Sequence, residues 1–249
     1  MKVFPSKNEN VITVAIISFL IGAIAGLFAG VKITDTNILL PALATLVAAF
    51  LGAWAAYKLE DNKKVREHKE KCLESANKIL FALYERTKSL KVFQRDSINE
   101  HRDNPFKMIS MMPLLDFSYP ESSFNPETLL FLLETKHSQL MLDLQTEKEC
   151  FNETFKLIRF RSSLHFNHVQ PAIESGGIQE GGEYTRQEMI DVIGERVFAQ
   201  LERSTDGVIE NVDRTIISSE KVKARLVAAL KELYPDDKIL NYEFQKNAA

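Results

Sequence analysis

The sequence contains few of the residues and motifs from which catalytic sites are built. Its only two cysteines, Cys72 and Cys150, stand in separate apolar stretches, which is typical of reduced core residues and argues against a disulfide framework. It also has no P-loop, no GxGxxG, no GxSxG and no HExxH motif. We therefore expect a protein that is not an enzyme and that carries no cofactor.

Charged residues are absent from two long stretches near the N terminus. The first, VITVAIISFLIGAIAGLFAGV, covers residues 11–31, and the second, TNILLPALATLVAAFLGAWAAY, covers 36–57. Each is close to the roughly 20 residues that a helix needs to cross a bilayer, and only a short turn separates them. The sequence therefore predicts a transmembrane hairpin over 1–57 and a second domain over 58–249.

Basic residues flank the two stretches unequally. They precede the first stretch and closely follow the second, whereas the connection holds a single lysine: Lys2 and Lys7, then Lys58, Lys63, Lys64, Arg66, Lys69 and Lys71, against Lys32. Positively charged flanks stay in the cytoplasm. Both termini and the domain after the hairpin are therefore expected on the cytoplasmic side of the lipid bilayer.

Small residues recur every four positions in both stretches. The first stretch has two overlapping GxxxG units and the second a matching stripe: Gly22, Gly26 and Gly30, then Ala44, Ala48, Gly52 and Ala56. Helices in lipid associate where small residues let their backbones approach closely. The stripes predict that the hairpin packs on itself, and a second role in the side-by-side assembly of a homo-oligomer stays open.

Proline and glycine are missing from long parts of the second domain. Neither occurs between Tyr57 and Pro105, which predicts one helix from about residue 38 to 102. Neither occurs from Glu127 to Val169, which predicts a second long helix that is capped by Asn125. The domain therefore begins with two long helices.

Two further helices are predicted after the glycine-rich loop that Pro171 introduces. Thr185 and Glu188 form a capping box that opens the first, and Ser219 is expected to cap the last, which stops at Pro235. Successive helices of equal length that are joined by loops pack antiparallel. The predicted fold class is all-α: a two-helix transmembrane hairpin that continues into an elongated cytoplasmic bundle of three to four helices.

Apolar residues recur three and four positions apart in each predicted helix, the spacing of a coiled-coil seam. The proline-broken segment 104–125 is too apolar for a flexible linker, and we expect it to pack across the end of the bundle or to contact a partner. The expected seams are Leu73, Ala76, Leu80, Leu83, Thr87 and Leu90; Leu133, His137, Leu140, Leu144, Phe151, Phe155, Ile158, Ser162 and His165; Met189, Ile193, Val197, Leu201, Val208, Val212 and Ile216; and Val222, Leu226, Ala229 and Leu233.

One short stretch interleaves basic and aromatic side chains. Lys156, Arg159 and Arg161 alternate with Phe155 and Phe160, a pattern that can contact phosphate groups. An amphipathic helix face, on which basic stems cover apolar neighbours, explains the same pattern. The net charge of the second domain is negative, which argues against a general nucleic-acid surface. The three cations remain candidates for a local contact with nucleic acid or a partner protein.

The histidines offer little for a metal site. Glu134 and His137 are the only Glu-x-x-His pair, whereas a di-iron bundle needs two such pairs. His165 and His168 share a helical face, but no second carboxylate or cysteine at ligand spacing accompanies them. We expect these histidines to be hydrogen-bonded bundle residues and expect no bound metal.

Three stretches carry a resemblance to a known bacterial family: AAYKLEDNKKVREHKEKCLESANKILFALYERTKSL, LLDFSYPESSFNPETLLFLLE and LIRFRSSLHFNHVQPAIESGG. In this order, behind a two-span hairpin, they resemble two-transmembrane effectors associated with retron reverse transcriptases in anti-phage defence. The resemblance implies a toxin of the bacterial inner membrane. Such a toxin perturbs the bilayer during abortive infection, and the reverse transcriptase and its RNA–DNA hybrid hold it inactive until then.

The sequence thus supports two competing functions. The first is a membrane-perturbing toxin effector, which the small-residue stripes and the lack of catalytic motifs favour. The second is a membrane-tethered scaffold or sensor that recruits a cytoplasmic partner and leaves the bilayer intact. A bundle-type metalloenzyme ranks last, because it rests on a single Glu-x-x-His pair.

Overall fold

The structure, a computed structural model, describes residues 36–114, 124–178 and 182–243. Every regular element in these ranges is helical, and they contain no strand. The all-α prediction is therefore confirmed. The chain divides into two compact units, Met1–Lys69 and Glu70–Ala249. The predicted boundary after Tyr57, where the apolar stretch ends, stays a prediction.

The helical segments include long α-helices and short distorted turns. In chain order, the α-helices are α1 (Thr36–Phe93), α2 (Lys107–Ser110), α3 (Gln139–Leu164), α4 (Gln170–Ser175), α5 (Arg186–Ile193) and α6 (Glu195–Leu233). Two π-helical turns, Gln94–Ile98 and His165–Val169, directly extend α1 and α3. A 3₁₀-helix, Pro126–Glu134, precedes α3.

The first helix agrees with the sequence, since α1 and its π-helical turn run without interruption from Thr36 to Ile98. Across the described ranges, no helix combines the length and apolar character that a membrane crossing requires. The predicted first span, 11–31, lies outside the described residues, and so do the side chains at 36–40, 42 and 43 of the predicted second span.

Within the second unit, α1 and α6 run in opposite directions. Thr87 Oγ1 lies 3.0 Å from Ser219 Oγ, and Gln94 Nε2 donates to Asp213 Oδ1 at 2.6 Å. The partners on α6 therefore move backwards along the chain as α1 moves forwards. If successive helices are antiparallel, as the sequence predicts, the first and last long helices run in opposite directions only when the chain reverses an odd number of times between them.

The helix α3 is also antiparallel to α6. Asp143, near its start, pairs with Arg225, and Arg161, near its end, donates from Nε to Thr205 Oγ1 at 3.3 Å. Because both helices oppose α6, α1 and α3 run parallel to each other. The expectation that successive helices pack antiparallel is therefore wrong for this pair. The cause is the connection 99–138, which contacts one end of the bundle and then the other before α3 begins.

Buried apolar side chains of the second unit form three clusters along the bundle. They are built around Leu80, Leu144 and Leu226, around Leu90, Phe151 and Val212, and around Met108, Val169 and Leu201. Full burial of one such side chain contributes about 1.5–3 kcal/mol relative to exposure. The packing of α1, α3 and α6 therefore supplies most of the stability of this unit.

Burial confirms most of the predicted seams. Leu73, His137 and Val197 are half-buried and Leu133 is exposed, whereas all other predicted seam residues are buried. Leu132 occupies the core position that the pattern assigned to Leu133. The shift has a simple cause, because a 3₁₀-helix has three residues per turn and an α-helical count drifts along it.

The second predicted helix begins where expected but is broken soon afterwards. Asn125 caps it, and its side chain accepts a hydrogen bond from the Glu127 amide at 3.3 Å. The Thr135 hydroxyl then donates to the Leu132 carbonyl at 2.7 Å and accepts from the His137 amide at 3.1 Å. Such local side-chain bonds compete with the helical ladder. The expected single helix is therefore a 3₁₀-helix followed by α3.

The proline-broken segment packs as expected where it is described. Met108 and Met111 are buried, and the Leu114 amide donates to Ser162 Oγ at 3.2 Å. Pro171 does not end the helical run, which continues to the end of α4. The π-helical turn directly before Pro171 accommodates the missing amide, so the loop begins only at the glycines that follow. Residues 115–123 lie outside the described part.

The third predicted helix divides at a different place from the expected one. The capping box at Thr185 and Glu188 is confirmed, but the break falls at Gly194, whose φ of +87° suits glycine. The helix α6 then runs through both Gly207 and Ser219 to Leu233. Ser219 is therefore a buried residue inside a helix and not a cap, which corrects the prediction.

Candidate functional site

The described start of α1 exposes apolar side chains on all sides. From residue 44 to 57 every residue is exposed except the half-buried Phe50. Leu51 is 56% exposed and Trp54 is 47% exposed. A helix that is apolar all round belongs either in a protein core or in a lipid bilayer. This stretch belongs to none of the three apolar clusters that the described residues form.

The predicted small-residue stripe of the second stretch lies on this exposed helix. Ala44, Ala48, Gly52 and Ala56 are all exposed, and a Cβ added at Gly52 would meet nothing within 4 Å. The matching residues of the first stretch, Gly22, Gly26 and Gly30, lie outside the described residues. The packing of one stripe on the other therefore stays a prediction.

A layer of polar side chains crosses the bundle between the first two apolar clusters. Thr87 on α1, Glu147 on α3 and Ser219 on α6 are all buried at this level. The Thr87 hydroxyl donates to its own helix at 2.7 Å and faces Ser219. Thr154 and Thr215 continue the layer, with their hydroxyl oxygens 3.0 Å apart. The layer joins all three long helices through polar contacts that an apolar core lacks.

Glu147 is the one charged residue among the five side chains of this layer. It is only 2% exposed, and its Oε1 atom has no hydrogen-bond partner among the described residues. Burial raises the pKa of its carboxyl group above the ordinary value, although hydroxyl groups of Ser218 and Ser219 act in the opposite direction. A carboxylate at this place weakens the bundle, because no described cation forms an ion pair with it.

Arg161 is buried at the far end of α3, where it holds the segment that follows α2. Its Nη2 atom donates to the carbonyls of Met108, at 2.9 Å, and Met111, and its Nη1 atom donates to Met112 at 3.3 Å. No described carboxylate pairs with it, and burial lowers its pKa to about 10. Arg161 therefore caps the carbonyl end of α2 with a full positive charge.

His165 lies one helical turn beyond Arg161 and makes a similar contact. Its Nε2 atom is 3.0 Å from the Ile109 carbonyl oxygen, whereas its Nδ1 atom has no described partner. Burial lowers the pKa of His165, and the positive charge of Arg161 adds to the effect. The ring is therefore neutral and donates from Nε2 to the carbonyl.

The structure does not bring the three predicted contact cations onto one surface. Lys156 and Arg159 are exposed, and Lys156 pairs with Glu153 at 2.6 Å. Arg161 is only 2% exposed and its guanidinium group is bonded to main-chain carbonyls. Phe155 is likewise buried in the second apolar cluster. The helical register therefore turns Arg161 into the core, away from the surface that carries Lys156 and Arg159.

The remaining candidate residues are the Glu134–His137 pair and His168. Glu134 is exposed, and His137 Nε2 lies 3.3 Å from Glu232 on α6. His168 is exposed, away from the buried His165. In the described ranges no group of three histidine, cysteine or acidic residues is placed to hold a metal ion.

Both cysteines are free thiols, as the sequence indicates. Cys72 is buried and Cys150 is half-buried. Burial raises the pKa of both thiols, which makes them poorer nucleophiles at neutral pH. They therefore act as small core residues and offer no reactive thiolate.

Glu147 is not among the residues predicted from the sequence, although the spacing of the second seam indicates it. The second seam jumps seven positions from Leu144 to Phe151, and a helix cannot leave two turns without an inward-facing residue. Position 147 or 148 had to face the core, and both are charged. A charged residue at such a gap predicts a buried polar layer.

The comparisons with known proteins add no family to this description. The chain matches no family model, no curated protein and no solved structure.

Proposed function

We propose that the protein is a membrane-perturbing effector of a retron-type anti-phage system, in which the N-terminal apolar stretches act on the bilayer and the helical body restrains them. The observation that carries this proposal is the exposed apolar helix of residues 44–57. It is part of the second uncharged stretch, 36–57, and the first, 11–31, likewise has the length of a membrane span. The resemblance to retron-associated effectors supplies the partner, a reverse transcriptase with its RNA–DNA hybrid.

The end of the exposed helix has the chemistry of a membrane interface. Trp54 and Tyr57 are both exposed and come just before Lys58, where the uncharged stretch stops. Tryptophan and tyrosine are enriched where a bilayer meets water, and lysine follows on the cytoplasmic side. This order supports a crossing that leaves the membrane near residue 57, with the body in the cytoplasm of a bacterial cell.

The body supplies a restraint that can change state. The polar layer at Glu147 is a weak point in the bundle, because it buries a carboxyl group without an ion-pair partner, and a partner protein that binds the body can stabilise or loosen it. Effectors of this kind need no catalytic group.

The proposal is tested by releasing the protein from its partner in cells and recording the membrane potential. Expression without the partner should depolarise the inner membrane within minutes. Gly52→Leu should blunt the effect, because no described residue lies within 4 Å of a Cβ added at Gly52, so a leucine there acts on a helix that packs against this face. Ala53→Leu, about 100° around the same helix, is the matched control and should retain the toxicity.

Normal growth and an unchanged membrane potential after release would refute the toxin proposal. If Gly52→Leu were as toxic as the wild type, close helix packing at Gly52 would play no part in the toxicity. Both variants must reach the membrane in similar amounts, which fractionation and immunoblotting establish.

A membrane-tethered scaffold is the second candidate, and an open groove on the body favours it. Leu157 and the 46% exposed Phe160 of α3 face α6 across this groove. A scaffold needs its hairpin only as an anchor. Exchange of residues 1–57 for an unrelated double-span anchor should therefore preserve a scaffold's function and abolish a toxin's.

A further inference from the structure

An open groove of about 720 Å³ runs between α3 and α6. Its α3 wall presents Leu157 and Phe160, and its α6 wall presents Arg196 and Arg203. The helices approach closely at one end, where a Cβ added at Gly207 would lie 3.2 Å from a Leu157 methyl group. The groove therefore combines an apolar wall with two guanidinium groups on the opposite wall.

The two arginines of this groove differ from the other arginines of the described chain. Each of the others has a contact with a carboxylate, an amide, a carbonyl, an aromatic ring or another polar group, as Arg102 has with Asp213 and Arg186 with Glu202. Neither Arg196 nor Arg203 forms a salt bridge or hydrogen bond with any described residue, although the charge of Arg203 helps to lower the pKa of the neighbouring Glu202. Both are exposed, and they lie seven residues apart on one face of α6.

We propose that this groove binds an acidic segment of a partner protein. One apolar side chain of the segment packs on Phe160 and Leu157, and two of its carboxylates reach Arg196 and Arg203. The two arginines are about 10 Å apart along the helix axis, at 1.5 Å per residue, so carboxylates two helical turns apart fit them. A guanidinium group binds a carboxylate through two parallel hydrogen bonds, which fixes the register of the segment.

The charges around the groove favour an acidic protein segment over a nucleic acid. Glu195 lines the groove itself, and Glu153 lies on the α3 side, paired with Lys156. A phosphate backbone carries a charge at every nucleotide and needs clustered cations along its path. Discrete carboxylates can meet the two arginines and avoid the neighbouring acidic groups.

This inference rests on the proposed function, because it gives that function's protein partner a docking surface on the body. The groove lies on α3 and α6, and the stretch proposed to act on lipid lies in α1. Loss of docking and loss of membrane activity can therefore be measured separately.

The test uses the full chain in detergent micelles and fluorescence anisotropy of labelled probes. The first probe is an amphipathic helical peptide of about 18 residues, with glutamates seven positions apart on either side of a central leucine. The second is the same peptide with glutamine in place of glutamate, and the third is an oligothymidylate of similar length. The double variant Arg196→Ser with Arg203→Ser is compared with Arg214→Ser, an exposed arginine of α6 outside the groove.

We expect the acidic peptide to bind and the double variant to weaken this binding at least tenfold. Arg214→Ser should change binding less than twofold, Phe160→Ala should weaken it, and added salt should weaken it in the wild type. All these side chains are exposed, so the variants should keep the wild-type melting temperature. Unchanged binding by the double variant, no binding of the acidic peptide, or arginine-dependent preference for the oligothymidylate would overturn the proposal. Permeabilisation of liposomes, measured on the same variants, reports on the proposed function alone.

Discussion

Replacement of Glu147 by glutamine should make the protein more stable at neutral pH. The side chain is buried in the layer between two apolar clusters, and Oε1 has no described hydrogen-bond partner. Glutamine keeps the shape and one carbonyl oxygen for the hydroxyl groups of Ser218 and Ser219, and it removes the charge. A buried polar group without a partner costs about 1–3 kcal/mol, and more when it is charged. Because the glutamine amide still lacks a partner where Oε1 stands, only the additional cost of the charge is removed, and we expect the free energy of unfolding to rise by about 1 kcal/mol.

The gain should depend on pH in a direction that follows from the raised pKa of Glu147. A group whose pKa is higher in the folded state stabilises the fold below its unfolded value, here 4.5, and this contribution is lost as pH rises through the folded value. Wild type and Glu147→Gln should therefore differ little near pH 4.5. Their difference should grow as the pH rises through the raised pKa of the wild-type carboxyl group.

Thermal unfolding of the full chain in detergent, followed by far-ultraviolet circular dichroism, measures this difference. A gain of 1 kcal/mol corresponds to about 2–4 °C in a chain of this size. Glu149→Gln, an exposed glutamate on the same helix, is the matched control and should change the melting temperature little at any pH. A Glu147→Gln protein that melts at or below the wild-type temperature at neutral pH would refute the reasoning that the buried carboxylate weakens the bundle.

Three further predictions concern other parts of the body. Arg161→Met should lower the free energy of unfolding by about 2–3 kcal/mol, because three main-chain carbonyls lose their donor. Arg159→Met, on the surface, is the control and should have little effect. Chemical denaturation of both variants measures the difference. Leu132→Ala should destabilise by about 2–5 kcal/mol and Leu133→Ala by less than about 0.5 kcal/mol, since the first is fully buried and the second is 53% exposed; equal losses would contradict the 3₁₀ register. The pKa of His165 is lowered in the fold, so its contribution to the free energy of unfolding is present above the ordinary pKa of 6.5 and is lost as the pH falls through the pKa of the folded state. His165→Gln should therefore reduce the loss of stability at acidic pH. An unchanged loss would exclude His165 as its cause.

Local chemistry made the helices and their seams predictable. The caps at Asn125 and at Thr185 with Glu188 are set by neighbouring residues, so the sequence alone indicates them. Burial every three or four residues follows from helix geometry, which is why most predicted seam positions of α1 and α6 are buried. Contacts that arise within one turn of helix are therefore readable from the sequence.

Features that depend on tertiary packing were not predictable in this way. Gly194 and Gly207 look alike in the sequence, but only Gly194 adopts a positive φ, whereas Gly207 stays helical because α3 packs closely on it. The parallel course of α1 and α3 depends on where the long connection packs, which no local pattern specifies. Arg161 lay in a basic and aromatic stretch that suggested a surface, and only the bundle register turns it inward.

The central claim is that the exposed apolar helix inserts into a bilayer, and Trp54 tests it most directly. It is the only tryptophan of the chain, so its fluorescence reports on this helix without interference. The full chain is reconstituted in liposomes, and emission is recorded with brominated lipids and with aqueous iodide as quenchers. The account predicts blue-shifted emission, quenching by bromines near the head groups and little quenching by iodide. Emission typical of water, with full access to iodide and no effect of brominated lipid, would contradict it.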